Sequence, residues 1–357
     1  MSHLNHGHIP PAYTAYVGRK AYFVTGLALL SLVLLVMAIS LGAVRVPVDQ
    51  ALKSLAGLEA DPRFQIIIRS IRLPHALAAL LAGTGLAAAG TAMQSILRNP
   101  LGSPFTLGLS QAGAFGAAFA VMLLGAGTMQ STTVGAVTIA NPYLTTLAAF
   151  MACMATSMVI IAIARLRGAT PEVMVLSGVA LGSLFSAGTM FLQYFADDVQ
   201  LAAMVFWTFG DVGRAGWREV VFMAVVVALG LVYFIANRWN YNAIDAGDET
   251  ARSLGVRVER VRMIGMIVAS LITAIIVAFL GVIGFVGLIC PHIVRRIIGD
   301  DHRFVMPAAS LSGAVLLLAS DTVARLLMAP HVLPVAVLTA FLGAPTFLYL
   351  LIRGRWR

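Results

Sequence analysis

Apolar residues recur along this chain in runs of about twenty, the length that crosses a hydrocarbon layer as a helix. Short clusters of arginine, proline, glycine and acids separate them. Run length and spacing predict ten helical spans, near 22–44, 73–96, 105–124, 142–164, 172–195, 218–236, 262–282, 284–298, 304–325 and 333–352. The shorter alternating segments of a transmembrane β-barrel are not what the chain shows. The run at 284–298 is short and holds Pro291. It predicts a broken or tilted helix, tolerated only where neighbours or water satisfy the freed backbone groups. The first run follows a polar tail (1–21) and lacks a small-residue cleavage site, so it reads as a retained span. Residues 22–352 form one transmembrane domain, and 353–357 form a second short tail.

The interruptions carry their own signals. "RNPLGSPFTLG" (98–108) packs an arginine, an asparagine, two prolines and two glycines between two spans. Asn99-Pro100 is expected to end one helix and Ser103-Pro104 to start the next, because proline lacks an amide hydrogen and suits a first helical turn. The stretch reads as a rigid corner. Residues 45–72 suggest a small amphipathic cap, and 237–261 form the largest polar segment. There Asp245 or Asp248 is expected to cap a short helix and Gly255 to end it. Such a helix is either a solvated connector or a docking element for a soluble partner.

Composition fits a helical membrane protein. Of 357 residues, 60% are hydrophobic and only 11% charged, too few to coat a soluble protein of this size. The net charge of +9 comes from basic residues at span ends, which points to topology and anionic lipid, not nucleic acid. With the N-terminus inside, inner segments hold 16 of the 24 Lys and Arg and outer segments 8, so both termini are expected to be cytoplasmic. Cys153 and Cys290 lie in apolar surroundings and read as buried thiols, not as a disulfide or metal site. His3, His6 and His8 sit in the polar tail with no second ligand cluster, so no metal is expected.

The power source is not in the chain. No G-x-x-x-x-G-K-[ST] is present, and the only lysines are Lys20 and Lys53. ATP, if used, must be hydrolysed by another subunit. Ion-coupled carriers often bury carboxylates mid-span. Glu172, Asp197, Asp198 and Glu219 lie at span ends, and Asp321 is the best intramembrane acid. Arg325 lies one turn away, so an i,i+4 ion pair is the plain reading of Asp321.

Several phrases together are similar to the signatures of the FecCD family, the permease subunits of ABC importers for iron-siderophores, haem and cobalamin. These are "RLPHALAALLAGTGLAAAGTAMQSILRNPLGSPFTLGLSQAGAFGA" (72–117), "GFVGLICPHIVRRIIGDDHRFVMPAASLSGAVLLLASDTVAR" (284–325), "LPVAVLTAFLGAPTFLYLL" (333–351) and "ARSLGVRVERVR" (251–262). The resemblance covers nearly the whole chain. It implies an all-α polytopic fold of the type II ABC importer permease, with ten spans per subunit, in the cytoplasmic membrane of a prokaryote. It implies a homodimer, two cytoplasmic ATPase subunits that bind ATP and Mg, and an external substrate-binding protein. No cofactor is expected on this chain.

The resemblance also assigns residues. The path looks like one lined by the fifth and tenth spans. In "SGVALGSLFSAGTMFLQYF" (177–195) the polar candidates are Ser177, Ser183, Ser186, Thr189 and Gln193, although small residues also serve close helix packing. Thr170 in "RGATPE" aligns with the family's inner gate. Asp248, Glu249, Arg252, Ser253, Leu254 and Gly255 fall in the coupling segment, and Arg63, Arg69, Arg72 and Arg214 are candidates for docking the binding protein. Where many members carry W-x-x-G-S, this chain reads "FWTFGDVGRAGW" (206–217) with Asp211 at the serine position, which leaves the cargo open. An iron chelate leads, with cobalamin or molybdate on the same scaffold as the alternative. A secondary carrier using Asp321, or a membrane scaffold that recruits an ATPase, are the readings from other classes.

Overall fold

The computed structural model describes residues 11–42, 44–58, 61–125, 127–128, 138–139, 141–327 and 333–353. The histidines at 3, 6 and 8 lie outside them. The first helix, α1, runs Pro11–Ser40. Two short helices, α2 (Val48–Leu55) and α3 (Pro62–Ile67), and a π-helical turn (Ile68–Arg72) lead into α4 (Leu73–Ile96). Then come α5 (Leu109–Leu123), a two-residue antiparallel strand pair (Gly127–Thr128 with Thr138–Ile139), α6 (Pro142–Arg167) and α7 (Pro171–Phe195). After α8 (Asp198–Thr208) and a 3-10 turn (Val212–Arg214) follow α9 (Trp217–Ala236), α10 (Arg238–Asp245), α11 (Asp248–Ser253) and α12 (Val258–Leu280). The chain closes with α13 (Val286–Ile298), α14 (His302–Leu327) and α15 (Val335–Arg353).

All ten expected spans coincide with helices. Seven segments among the described residues are long and apolar enough to cross a membrane: α1, α3 to α4, α6, α7, α9, α12 and α14. The helices α5 and α13 have only 15 and 13 residues, about 20 Å of rise each, against a hydrocarbon core of about 30 Å. Irregular backbone precedes both. Residues 104–108 form turns, so α5 begins four residues later than the sequence reading placed it. Gly108 (φ +80°) breaks the path there, and Pro104 opens a turn held by Ser103 and Thr106 instead of a helix. Before α13, Gly281 (φ +82°) and Phe285 (φ +68°) make the second break. The two irregular stretches meet around a cavity of about 140 Å³ lined by Ser103, Phe105, Thr106, Ser110, Phe285 and Gly287 among others. Such backbone is tolerated at membrane depth because it is enclosed by protein.

The centre of the bundle is α4, which packs on α14, α12, α13, α9 and α1. Of its 24 residues, 18 are buried, so it faces protein on nearly all sides. Its alanines and glycines let backbones approach closely: Gly83 abuts the Gly313 backbone of α14, and Gly90 abuts the Gly287 backbone of α13.

Two elements differ from the sequence reading. The expected polar tail is helical from Pro11, because its residues are held by the start of α14. The Lys20 ammonium lies 4.1 Å from the Tyr16 ring centre and is buried near Phe304, and Arg303 reaches the Tyr13 hydroxyl at 3.4 Å. The helix α8 had no counterpart among the expected elements. It opens with a capping box between Asp197 and Gln200, a local signal that the search for long apolar runs passed over.

Candidate functional site

A groove of about 550 Å³ runs along one face of α7. Its walls are Phe105, Thr106, Gly108 and Gln111 from the entrance to α5, and Gly178, Val179, Gly182, Ser183, Ser186, Ala187 and Met190 from α7. Gly108, Gly178 and Gly182 bring the two walls together. A Cβ on Gly108 would meet the Gly178 carbonyl and the Gly182 Cα at 2.8 Å. No charged side chain lines the groove. The Ser183 hydroxyl donates to the Val179 carbonyl at 3.0 Å and keeps its lone pairs for a passing group.

Of the five expected path residues, only Ser183 and Ser186 line this groove. At about 100° per residue Gln193 falls near the same face of α7 beyond the groove, whereas Thr189 falls on its flank, about 70° away, and Ser177 on the opposite side, about 170° away. Thr189 donates to the Phe185 carbonyl at 2.9 Å. The tenth expected span, α15, packs on α13 and α14 and does not wall the groove within one chain. Thr106 and Gln111 were missed. The available signal was their place in "FTLGLSQAGAFG", polar residues opening an apolar run.

At one end of the bundle, α10 and α11 are tied to four spans by charge. Arg262 of α12 is 2% exposed and grips Asp248 with two 2.7 Å bonds, while its Nε donates to the Ile96 carbonyl at 2.9 Å. Asp245 accepts from Arg295 at 3.3 Å and lies 2.9 Å from His302 Nε2, which in turn lies 2.9 Å from the Ser95 hydroxyl. Burial works against ionisation of Asp245, yet His302 and Arg295 together hold its carboxyl below the usual range. Asp301 is likewise penalised by burial, but the Arg303 guanidinium and amide and the Asn242 amide lower it to about 2.

This geometry divides the six expected coupling residues. Asp248 turns inward to Arg262 and is a structural clamp. Glu249, Arg252, Ser253, Leu254 and Gly255 are exposed, and Leu254 is 68% exposed at the corner. Gly247, not Asp245 or Asp248, is the N-cap of α11. Asp248 occupies its first turn, where its charge suits the helix dipole. Gly255 (φ +84°) ends α11 as expected, with Gly255 N–H on the Arg252 carbonyl and Val256 N–H on the Ala251 carbonyl, the Schellman pattern.

Beside this corner lies a polar cavity of about 340 Å³ lined by Leu97, Arg98, Thr170, Pro171, Glu172 and Asp248. Thr170 caps α7, accepting from the Val173 amide at 3.4 Å. Arg98 follows α4 in a left-handed conformation (φ +45°), with Asn99 N–H on the Gln94 carbonyl at 3.0 Å.

At the opposite end, two of the four arginines expected to dock a binding protein are spent on structure. Arg72 is buried and donates to the carbonyls of Ile39 (2.6 Å), Ser40 (2.9 Å) and Val44. Arg325 donates to those of Ala38 (3.1 Å) and Leu41 (3.3 Å), so two arginines close the C-terminus of α1. Arg214 donates to the carbonyls of Phe206, Trp207 (3.0 Å) and Phe209 (2.8 Å), closing α8 in the same way. Arg63 and Arg69 remain exposed.

Two acids of this end, Asp321 and Asp211, are also occupied. Asp321 is 3% exposed and lies 3.0 Å from Arg325 and 2.9 Å from His75. Both of its oxygens are engaged, and it lines none of the three cavities, so it is not placed as a coupling acid. Asp321→Asn is expected to lower the melting temperature in detergent, through the loss of one charge from a buried triad. Unchanged stability would contradict this reading. Asp211 caps the 3-10 turn, accepting from the Gly213 amide at 2.8 Å. Serine and aspartate both serve as caps of this kind, so this local role accounts for a short polar side chain at the position.

The FecCD transport family matches residues 29–353. The chain is 54% identical to an ABC transporter permease protein of Methanocaldococcus jannaschii, over 97% of this chain and 98% of that one. It is 36% identical to an Fe(3+)-citrate import system permease protein of Bacillus subtilis, over 91% and 93%. Further relatives are named for hemin transport in Yersinia pestis and cobalamin import in Halobacterium salinarum. A solved metal-chelate type ABC transporter in an inward-facing conformation superposes with a TM-score of 0.79 at 29% identity, covering 94% of this chain and all of the other.

Proposed function

Because the chain belongs to the FecCD transport family and is the permease subunit of an ABC importer, we propose that it carries an iron chelate across the cell membrane by alternating access. The cargo in this reading is a ferric siderophore or haem, and two copies of the chain enclose the path. The observation that carries the reading is the groove on α7, roomy, uncharged and lined by hydroxyls, an amide, glycines and Met190. A weakly polar lining lets a bulky chelate pass without being trapped. Cobalamin is the second reading, favoured by the relative named for it. Molybdate is less suited, since an oxyanion would find no cationic partner in this groove.

The α10–α11 end faces the cytoplasm in this reading. Two ATPase subunits bind ATP and Mg and dock on Glu249, Arg252, Ser253, Leu254 and Gly255. Thr170 sits at the inner gate, and Arg63 and Arg69 receive the substrate-binding protein. Leu254→Glu is expected to reduce ATPase copurification roughly tenfold, since it places a charge at an apolar contact. Wild-type recovery would remove the docking assignment. Reconstituted permease is expected to import only with ATPase and ATP; gradient-driven import by the permease alone would overturn the proposal. Titration of the purified binding protein with a ferric siderophore, haem, cobalamin and molybdate then assigns the cargo.

A further inference from the structure

Arg98 is an arginine where helices usually place glycine. Its left-handed backbone (φ +45°) closes α4, a conformation that disfavours any side chain relative to glycine. The guanidinium is 48% exposed and only loosely paired, 3.9 Å from Asp248. An exposed pair of that kind is readily exchanged. Asp248 itself is held firmly by Arg262. The same cavity is lined by Glu172, in the first turn of α7, which has no salt-bridge partner among the described residues. Arg98 thus shares one cavity with two carboxylates, Asp248 on α11 and Glu172 on the helix that walls the groove, the latter hydrogen-bonded to Thr170 and its own amide.

We propose that Arg98 is a positioning residue that links α11 to α7 by passing between Asp248 and Glu172. Because Arg262 ties Asp248 to the last turn of α4, displacement of the α11 corner carries α4 and α12 with it, and the 3.9 Å contact yields as that unit shifts against the first turn of α7. The guanidinium then turns to Glu172 and draws the first turn of α7, with Thr170, toward the end of α4. This inference rests on the proposed docking of an ATPase at α11. It adds a route by which that docking reaches the groove.

The test uses the full complex of permease, ATPase and binding protein in proteoliposomes, and reads ATP hydrolysed per cargo imported. Arg98→Gly relieves the backbone while removing the guanidinium. It is expected to melt no lower than wild type and to hydrolyse ATP within about twofold of it, while import falls roughly tenfold. Glu172→Gln is expected to uncouple in the same way, and Arg98→Lys to retain most coupling. Exchange of the pair, Arg98→Glu with Glu172→Arg, is expected to recover part of the import. A wild-type ratio of hydrolysis to import in Arg98→Gly overturns the inference. So does loss of ATPase copurification in that variant, which would make Arg98 a docking residue. Failure of the wild-type permease to bind any ATPase would instead overturn the functional proposal itself.

Discussion

Asp248→Leu is expected to destabilise the folded chain by about 3–5 kcal/mol, the cost of leaving a buried charge without its partner. Arg262 is 2% exposed, and two of its three polar contacts are the 2.7 Å bonds to Asp248. The third is the Ile96 carbonyl at 2.9 Å, which does not compensate a full positive charge. The clamp joins α11 to α12 and to the last turn of α4, so its loss is expected to free the α10–α11 segment as well as lower global stability. Thermal unfolding in detergent measures the first effect, and hydrogen exchange over 238–257 the second. The double variant Arg262→Met with Asp248→Leu is expected to recover most of the melting temperature, because replacing both charges removes the desolvation cost together with the attraction. If the double variant melts as low as the single one, the pair is not the origin of the loss.

Gly83→Val is expected to cost at least about 3 kcal/mol and to leave little folded protein. A Cβ at Gly83 would collide with the Gly313 carbonyl and carbon and come within 2.9 Å of the Ala314 Cα. These are backbone atoms of α14, so no rotamer change relieves the clash, and two central helices must separate. In a bilayer that separation forfeits the close packing that holds helices together. Gly26→Val supplies the control, because nothing lies within 4 Å of a Cβ at Gly26 on α1. Yield of monodisperse protein and melting temperature compare the two. Equal behaviour would show that the α4–α14 crossing is looser than its geometry implies.

Both predictions concern how the permease holds its working parts. The groove needs Gly108, Gly178 and Gly182 in close contact, and the α11 corner needs Asp248 turned inward. A stiff core around α4 with charge clamps at both ends leaves the first turn of α7 and the exposed corner at Leu254 as the parts that meet a polar cavity or a partner.

Much of this was legible in the sequence. The ten apolar runs matched ten helices because a helix satisfies its backbone hydrogen bonds within the segment, leaving hydropathy to mark it. The ion pair of Asp321 with Arg325 was readable for a similar reason, since i and i+4 share a helix face. Gly255 was readable because a left-handed helix end favours glycine. Ser183 and Ser186 emerged from a span rich in small polar residues, but nothing local separated them from Ser177 and Thr189.

The chain by itself determined the spans, the Ala and Gly character of α4, the polar corner before α5 in outline, and the family; it placed a break at Pro291, whereas α13 runs unbroken through that residue and the irregular backbone lies before it, at Gly281 and Phe285. Only the tertiary structure decided which of many similar arginines are free. Arg63 and Arg69 are exposed, whereas Arg72 and Arg214 close helix ends, and all four look alike as basic residues beside apolar runs. The partners of Arg72 lie 28 to 33 residues away, and the Ile96 carbonyl lies 166 residues from Arg262. A guanidinium's choice between solvent, a carboxylate and a distant carbonyl depends on which backbone groups the packed helices leave unpaired, and local sequence carries no record of that choice.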